Sequence, residues 1–313
     1  MAAYYWRLLL LCEMGLATVI AALLRVAYDI PLQLAALTGF GVLLLLPCAL
    51  IGVSLLVARF IRSSKHSQEG WVELLRSWVR ESIALERAAL AMSVEPWRRF
   101  EYDGARVGAS LPAQPVLLIH GVVCNRGVWR PIAAALHAQG FGPIHAVNLE
   151  PLLGDIDAHA AYVANEIRRL SRDCGGARVA IIAHSMGGLV ARAALPLLRP
   201  EDISQIVTLG SPHHGSLLAT LLPGLPYRQM EPGSGWLVRL NAAQEGRLPV
   251  PFTCIYSGND NLVRPTWSAA LQGATRIELE GLGHLSLLTA QAAIDRTLAV
   301  LTGSQAGREP CLT

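Results

Sequence analysis

The sequence predicts an α/β fold: a mostly parallel sheet with helices on both faces, preceded by a two-helix transmembrane hairpin. Three observations carry that expectation. Residues 8–58 hold two long apolar runs. From about residue 100 onward, short apolar stretches alternate with helical ones, the βαβ rhythm of parallel strands buried on both faces. One such strand breaks into a helix across Ala183-His184-Ser185-Met186-Gly187-Gly188, and small residues there let strand and helix backbones approach closely around a strained turn.

A chain of 313 residues accommodates one large domain with an appendage. Its residues are 52% hydrophobic and only 16% charged, with a mean hydropathy of +0.39. That balance is too apolar for an ordinary soluble protein and points to membrane segments. The net charge of +3, with no basic stripe interleaved with aromatics, argues against a nucleic-acid partner. The six cysteines (Cys12, Cys48, Cys124, Cys174, Cys254 and Cys311) are scattered without C-x-x-C or zinc spacing. They read as unpaired thiols, and no metal site is expected.

The first apolar run, residues 8–27, is interrupted by Glu13 and bounded by Arg7 and Arg25. The second, residues 32–58, has no charge in 27 positions. As a helix it would measure about 40 Å, longer than the roughly 30 Å hydrocarbon core, so tilt or a bend near Pro47 is expected. A tight turn at Tyr28-Asp29-Ile30-Pro31 joins the two. A cleaved signal peptide is the rival reading of the first run. Glu13 within that run and the second run directly after it weigh against this. Arg7 precedes the pair and Arg59, Arg62 and Lys65 follow it, while Arg25 in the turn region is offset by Asp29. The positive-inside rule therefore puts both ends in the cytoplasm.

Residues 71–92 read as an amphipathic helix. Trp71, Leu74, Leu75, Trp78 and Leu85 fall on one side, and Glu73, Arg76, Arg80 and Arg87 on the other. It suits either an interfacial helix on the bilayer or a helix packed on the following domain. Strands follow at 115–120, 144–148, 178–183, 203–209, 252–257 and 275–279, with helices at 128–137, 157–172, 189–198 and 285–301. Asp155 or Asp157 is placed to cap the second of these helices. The organisation expected is a hairpin over 1–66, a juxtamembrane helix and linker over 67–99, an α/β domain over 100–303 and a frayed tail over 304–313.

Ser185 on its strand-to-helix turn is the first candidate nucleophile. A serine hydroxyl needs a base within reach and an acid to orient that base. Both stand downstream at the carboxyl ends of strands, where parallel sheets build their sites. Asn259-Asp260-Asn261 follows the 252–257 strand, and Glu280-Gly281-Leu282-Gly283-His284 follows the 275–279 strand. Among nine histidines, His284 is Gly-preceded, follows the last strand and precedes the last helix. His184 adjoins the serine but points away from it and reads as structural. His120 ends a strand. His213-His214 lacks flanking carboxylates or cysteines at ligand spacing. For the acid, Asp260 is favoured over Glu280, with Asp202 and Glu278 reading as surface-facing. Oxyanion stabilisation needs two backbone N–H groups; position nominates Val122 and Met186.

Five stretches together resemble the bacterial triacylglycerol lipases and related esterases of the α/β-hydrolase superfamily. They are Leu117-Leu118-Ile119-His120-Gly121, the Ala183-to-Gly188 turn, Val207-to-Ser216, Tyr256-to-Asp260 and Gly283-His284. The resemblance runs from residue 115 to the last helix. It implies a Ser185–Asp260–His284 triad, oxyanion amides at Val122 and Met186, an acyl-enzyme, and no required cofactor. It also implies a lipid acyl ester as substrate. The hairpin adds the bilayer as partner and departs from the secreted members of the group, so the expected location is a multi-pass membrane protein, in a bacterium the inner membrane, with a cytoplasmic catalytic domain. Acyl transfer to another alcohol or thiol, or thioester hydrolysis, would use the same triad. A non-catalytic membrane protein on a degenerate hydrolase would be expected to lack a triad member. Residues 216–251, rich in Leu, Pro and Gly, form either an apolar lid over the acyl site or a cover for the sheet edge.

Overall fold

The structure, a computed structural model, describes residues 1–61, 70–97, 114–244 and 247–306. Arg62 and Lys65 of the charge argument, the domain boundary at residue 100 and the tail from residue 307 lie outside the described residues.

Six strands form one sheet: β1 (Val116–Ile119), β2 (Ile144–Ala146), β3 (Val179–His184), β4 (Ile203–Leu209), β5 (Phe252–Ser257) and β6 (Thr275–Leu279). The order is β2-β1-β3-β4-β5-β6 and every neighbouring pair is parallel. Every residue of β1, β3 and β4 is buried. That is why β1 and β3 read as near-continuous apolar runs rather than alternating ones, both faces being covered, while β4 buries Ser204, Gln205 and Thr208 among its apolar residues. Successive side chains enter opposite cores. On one face α5 (Ile156–Asp173) and α6 (Met186–Ala194) set Val163, Ile167 and Leu189 among Leu117, Ile181 and Ile206. On the other, α4 (Arg130–Ala138) and α9 (Gln291–Ala306) set Ile132, Leu136 and Leu301 among Leu118, Ile182 and Val207. Asp155 caps α5 by accepting the Asp157 N–H at 2.9 Å.

The last helix differs from the sequence reading at both ends. A 3-10 turn, Ser286–Leu288, precedes α9, so the last helix opens at Gln291 rather than 285. It then runs through Ala306, so residues 304–306 are helical rather than tail.

At the N-terminus, α1 (Ala2–Tyr28) and α2 (Leu32–Phe60) are long and apolar enough to cross a membrane by length and composition. Asp29 turns the chain between them in the left-handed conformation, φ 50°. Pro47 lies inside α2, whose helix continues past it. Large apolar side chains such as Leu11, Val19, Leu23, Leu37, Phe40 and Leu50 are exposed, unlike those of a helix in a soluble core.

α3 (Trp71–Ser93) packs on the α/β domain, through a different face from the one its hydrophobic pattern suggests. Its buried side is Ser77, Glu81, Ala84, Ala88 and Met92. Trp71 and Leu75, read as part of the apolar face, are exposed, and with Val72, Val79, Ile83 and Leu90 they leave an apolar stripe on the surface. Small residues at the contact let the helix backbone come close to the loops, which a row of large side chains would prevent. Trp78 instead docks on α2, donating Nε1–H to the Cys48 carbonyl at 2.6 Å.

The open ends of the hairpin meet the domain. Trp6 donates Nε1–H to the Val123 carbonyl at 2.9 Å, and Arg7 donates to Ser93 O at 2.8 Å. From the other side, Asn261 donates Nδ2–H to Ser54 Oγ at 2.8 Å. The Arg264 guanidinium donates to the carbonyls of Ala58 and Ile61 at the end of α2.

Candidate active site

Because all six strands run the same way, the loops after β1, β3, β5 and β6 emerge at one edge of the sheet. Each sequence-nominated residue sits on one of them. Ser185 links β3 to α6 at φ 55°, ψ −129°. Positive φ is strained for a residue with a Cβ and is tolerated where the surroundings over-determine it. Here the Ser185 N–H is tied to Leu209 O at 3.0 Å, and the Gly188 N–H returns to Ser185 O at 3.0 Å. Met186 opens α6 directly after it, so its N–H lies in the first turn, where helix amides have no intrahelical acceptor.

The loop after β1 carries the other nominated amide. His120 is buried and its tautomer is set by its partners. Nδ1–H donates to Gly121 O at 2.8 Å, and Nε2 accepts the Leu149 N–H at 3.1 Å. Burial pushes its pKa down to about 4, so the ring is neutral. A Cβ at Gly121 would lie 2.8 Å from Ser185 Cβ, so only glycine lets this loop lie against the serine. Val123 is the second strained non-glycine residue here, at φ 59°, and its carbonyl is the one held by Trp6. Val122 lines the same cavity as Ser185.

Three consecutive residues after β5 all reach the loop after β6. Asp260 Oδ2 accepts Nδ1–H of His284 at 2.8 Å, and its Oδ1 accepts the N–H groups of Leu262 and Val263, each at 2.8 Å. Asn259 Oδ1 accepts the Gly281 N–H at 2.7 Å. Asn261 Oδ1 accepts the His284 N–H at 3.0 Å. The bond to Asp260 places the proton on Nδ1 and leaves Nε2 with a free lone pair. Burial opposes charge on His284, but the Asp260 carboxylate, its hydrogen bond and the charge of Glu81 together lift the pKa above the ordinary imidazole value. His184 donates Nε2–H to His284 O at 3.1 Å, its ring 4.6 Å from that of His284. Burial, and the neighbouring His284, hold His184 well below the ordinary value and thus neutral.

The rival acids lie elsewhere. Glu278 and Glu280 are exposed. Asp202 is buried rather than surface-facing, but it pairs with Arg199 at the start of β4, the opposite edge of the sheet. His213 is buried against Thr208 Oγ1 at 3.1 Å, and His214 stands beside Trp267. Among the described residues no three His, Cys, Asp or Glu side chains gather as a metal site.

Ser185 and His284 share a cavity of about 150 Å³ whose walls are mainly apolar: Val122, Leu218, Leu222, Tyr227, Met230 and Leu262. Four of these walls or roof residues belong to or border the 216–251 insert, which folds into a 3-10 turn (Leu217–Leu221), α7 (Leu225–Gln229) and α8 (Gly235–Ala243). The buried Arg192 of α6 holds α8, donating to Gln244 Oε1 and Asn241 Oδ1, each at 2.8 Å, and to His213 O at 3.3 Å.

Sequence reasoning did not nominate Asn259, Asn261, Glu81 or the bond from His184. The two asparagines flank Asp260 at a strand end, and that run of three short polar residues is a readable sign of an interloop clamp. Glu81 carries no such sign, because its partners Leu285 and Ser286 lie 204 and 205 residues away.

A family model described as a PGAP1-like alpha/beta domain matches residues 110–221. The chain is 32% identical over 116 residues to a triacylglycerol lipase of Pseudomonas fragi, covering 34% of this chain and 38% of that protein. It is 26% identical over 166 residues to lipase B of Pseudozyma antarctica, covering 49% and 47%. The chain thus spans less than half the length of these curated relatives. Among solved structures, Aspergillus fumigatus lipase B superimposes with a TM-score of 0.60 at 16% identity, covering 90% of this chain and 85% of that one. A Bacillus licheniformis lipase in its mature form gives 0.56 at 18% identity, covering 64% and 96%. The fold is therefore that of the α/β-hydrolases.

Proposed function

We propose that this chain, an α/β-hydrolase of lipase-like fold, is a membrane-anchored serine hydrolase that cleaves carboxylic esters of lipids. The observation that carries the reading is the Asp260–His284 hydrogen bond at 2.8 Å, set beside a cavity that His284 shares with Ser185. His284 Nε2 takes the proton of Ser185 Oγ as that oxygen attacks the acyl carbonyl. Asp260 keeps the imidazole in the required tautomer and stabilises the imidazolium. The N–H groups of Val122 and Met186 receive the oxyanion. His284 then returns the proton to the leaving alkoxide, and an activated water releases the acyl group from Ser185.

The cavity supports an acyl substrate. A dry apolar cavity of roughly 150 Å³ holds one benzene ring, so an acyl segment of about six carbons fits this one. Longer chains would continue past the exposed Leu221 and Leu222. The two apolar helices support anchoring: their large side chains face outward, and the loops that meet the hairpin's open ends are those around the site.

Two measurements test the proposal. A fluorophosphonate probe is expected to label the purified protein and to leave Ser185→Ala unlabelled; labelling that persists in the variant removes the serine from its role. Across p-nitrophenyl esters, kcat/KM is expected to rise from acetate to about six carbons. Activity confined to acetate would exclude lipid acyl chains as substrates.

A further inference from the structure

Glu81 of α3 is fully buried, with 0% of its surface exposed. Its Oε1 accepts the Leu285 N–H at 2.8 Å, and its Oε2 accepts the Ser286 N–H at 2.9 Å and the Ser286 hydroxyl at 2.7 Å. Leu285 and Ser286 directly follow His284. On the other side, a Cβ at Gly283 would lie 2.3 Å from Glu81 Oε2, so the carboxylate lies against the backbone just before His284. Glu81 therefore grips the loop on both sides of the histidine. Among the described residues no lysine or arginine pairs with it. A buried carboxylate with three donors and no cation is expensive to maintain unless a positive charge forms nearby. The one that would form is the imidazolium of His284.

We propose that Glu81 is a positioning residue of the hydrolytic centre. From the helix that follows the hairpin, it fixes the loop carrying His284 and sets a second buried carboxylate behind the imidazole that Asp260 orients. The inference rests on the serine-hydrolase reading above and extends it to a residue outside the α/β domain.

The charged and titratable groups around His284 are few. Asp260 faces it from the loop after β5 and Glu81 from α3. His184 packs on it from the end of β3, and His120 lies behind His184; both are neutral. Arg80 approaches the same loop, donating to Gly281 O at 3.1 Å. Burial raises the pKa of Glu81 itself, opposed by its three hydrogen bonds and by His284. Removing the Glu81 charge removes one of the effects that lift His284, so the base stays deprotonated to lower pH.

The test uses the full chain in detergent micelles with p-nitrophenyl butyrate, comparing wild type, Ser185→Ala, Glu81→Gln and Ser286→Ala. Glu73→Gln, which disturbs only an exposed pair with Arg76 on the same helix, is the control. Glu81→Gln is expected to lower kcat by about 10- to 100-fold with little change in KM, and to move the acid limb of the kcat–pH profile down by roughly half to one unit. A wild-type kcat and limb overturn the proposal. So does a lower kcat with an unmoved limb, because that is what a merely structural residue gives. If Glu81→Gln does not accumulate as folded protein, Ser286→Ala decides. It keeps the carboxylate but removes one bond that holds it ionised, so a smaller limb shift in the same direction supports the role and an unmoved limb overturns it. An inactive, unlabelled wild type sinks the hydrolase reading itself. An active wild type with an inert Ser185→Ala and an unaltered Glu81→Gln sinks only the role of Glu81.

Discussion

In the proposed mechanism His284 accepts the Ser185 proton only while its Nε2 is unprotonated, and its neighbours set the pH at which that holds. Its pKa is raised above the ordinary imidazole value, so the acid limb of kcat is expected above about pH 6.5. Asp260→Asn would reverse the donor at that contact and force the wrong tautomer, with an expected fall in kcat of about 10⁴-fold. Equal rates in the variant would remove Asp260 from the mechanism. The buried histidines that do no proton transfer act on stability with the opposite sign. His120 is held down to about 4 from the ordinary 6.5, and His159, His184 and His213, with the half-buried His145 and His214, are lowered too. A depressed folded pKa contributes stability that is present above the unfolded value and is lost as pH falls toward the folded one. For His120 the difference of about 2.5 units corresponds to about 3 kcal/mol. His284, being raised, contributes stability below about pH 6.5 and loses it above. Six lowered rings against one raised ring predict a Tm that falls between pH 6.5 and 4. A Tm that is flat across that range would mean these rings are not buried neutral.

Among the elements, the strands and their order of chemistry are legible because they depend on local pattern. β3, β4 and β5 are mostly apolar, with Ser204, Gln205, Thr208 and Thr253 as interruptions, and each ends in small or polar residues where the sheet edge exposes a loop. α3 is the instructive failure. Part of its hydrophobic side, Trp71 and Leu75 with Val72, Val79, Ile83 and Leu90, faces outward, and its contact face is built of serines, alanines, Met92 and one carboxylate. Periodicity finds where apolar residues cluster, but it does not say which face meets the protein when membrane and domain both compete for the helix. The insert was legible as an apolar cover but not as a tethered one. α8 depends on Arg192, which is fully buried and whose burial lowers its pKa to about 10. Among the described residues it bonds neutral acceptors alone: Gln244, Asn241 and the His213 carbonyl. Arg192→Met fills similar space but leaves those acceptors without their donor, at roughly 1–3 kcal/mol for each group left buried and unpaired. A lower Tm and faster proteolysis between residues 216 and 251 are expected, measured by limited digestion in detergent. Unchanged digestion would show that the cover is held by its apolar contacts alone.

At the scale of the whole molecule, each N-terminal helix bonds to a different loop of the site: α1 to Val123, α2 to Asn261 and Arg264, α3 to Leu285 and Ser286. A hairpin that only anchored would leave soluble-ester hydrolysis intact when removed. Deleting residues 1–61 instead removes the partners that Val123, Asn261 and Arg264 have on α1 and α2, so kcat on p-nitrophenyl butyrate is expected to fall by about 10-fold or more. Full activity in the truncated chain would reduce the hairpin to a tether. The same geometry bears on sidedness. Both open ends of the hairpin contact the α/β domain, so a hairpin that spans the bilayer leaves that domain on one side and presents the Asp29 turn on the other. The flanking arginines then favour the domain in the cytoplasm. In intact cells, a membrane-impermeant maleimide is expected to label Asp29→Cys and to spare Arg308→Cys, each in a background lacking the native cysteines. Labelling of Arg308→Cys alone would invert the arrangement. Labelling of both would mean that the two helices do not span the bilayer as a pair, and the contacts at Val123, Asn261 and Arg264 would then have to form with α1 and α2 lying along the membrane surface.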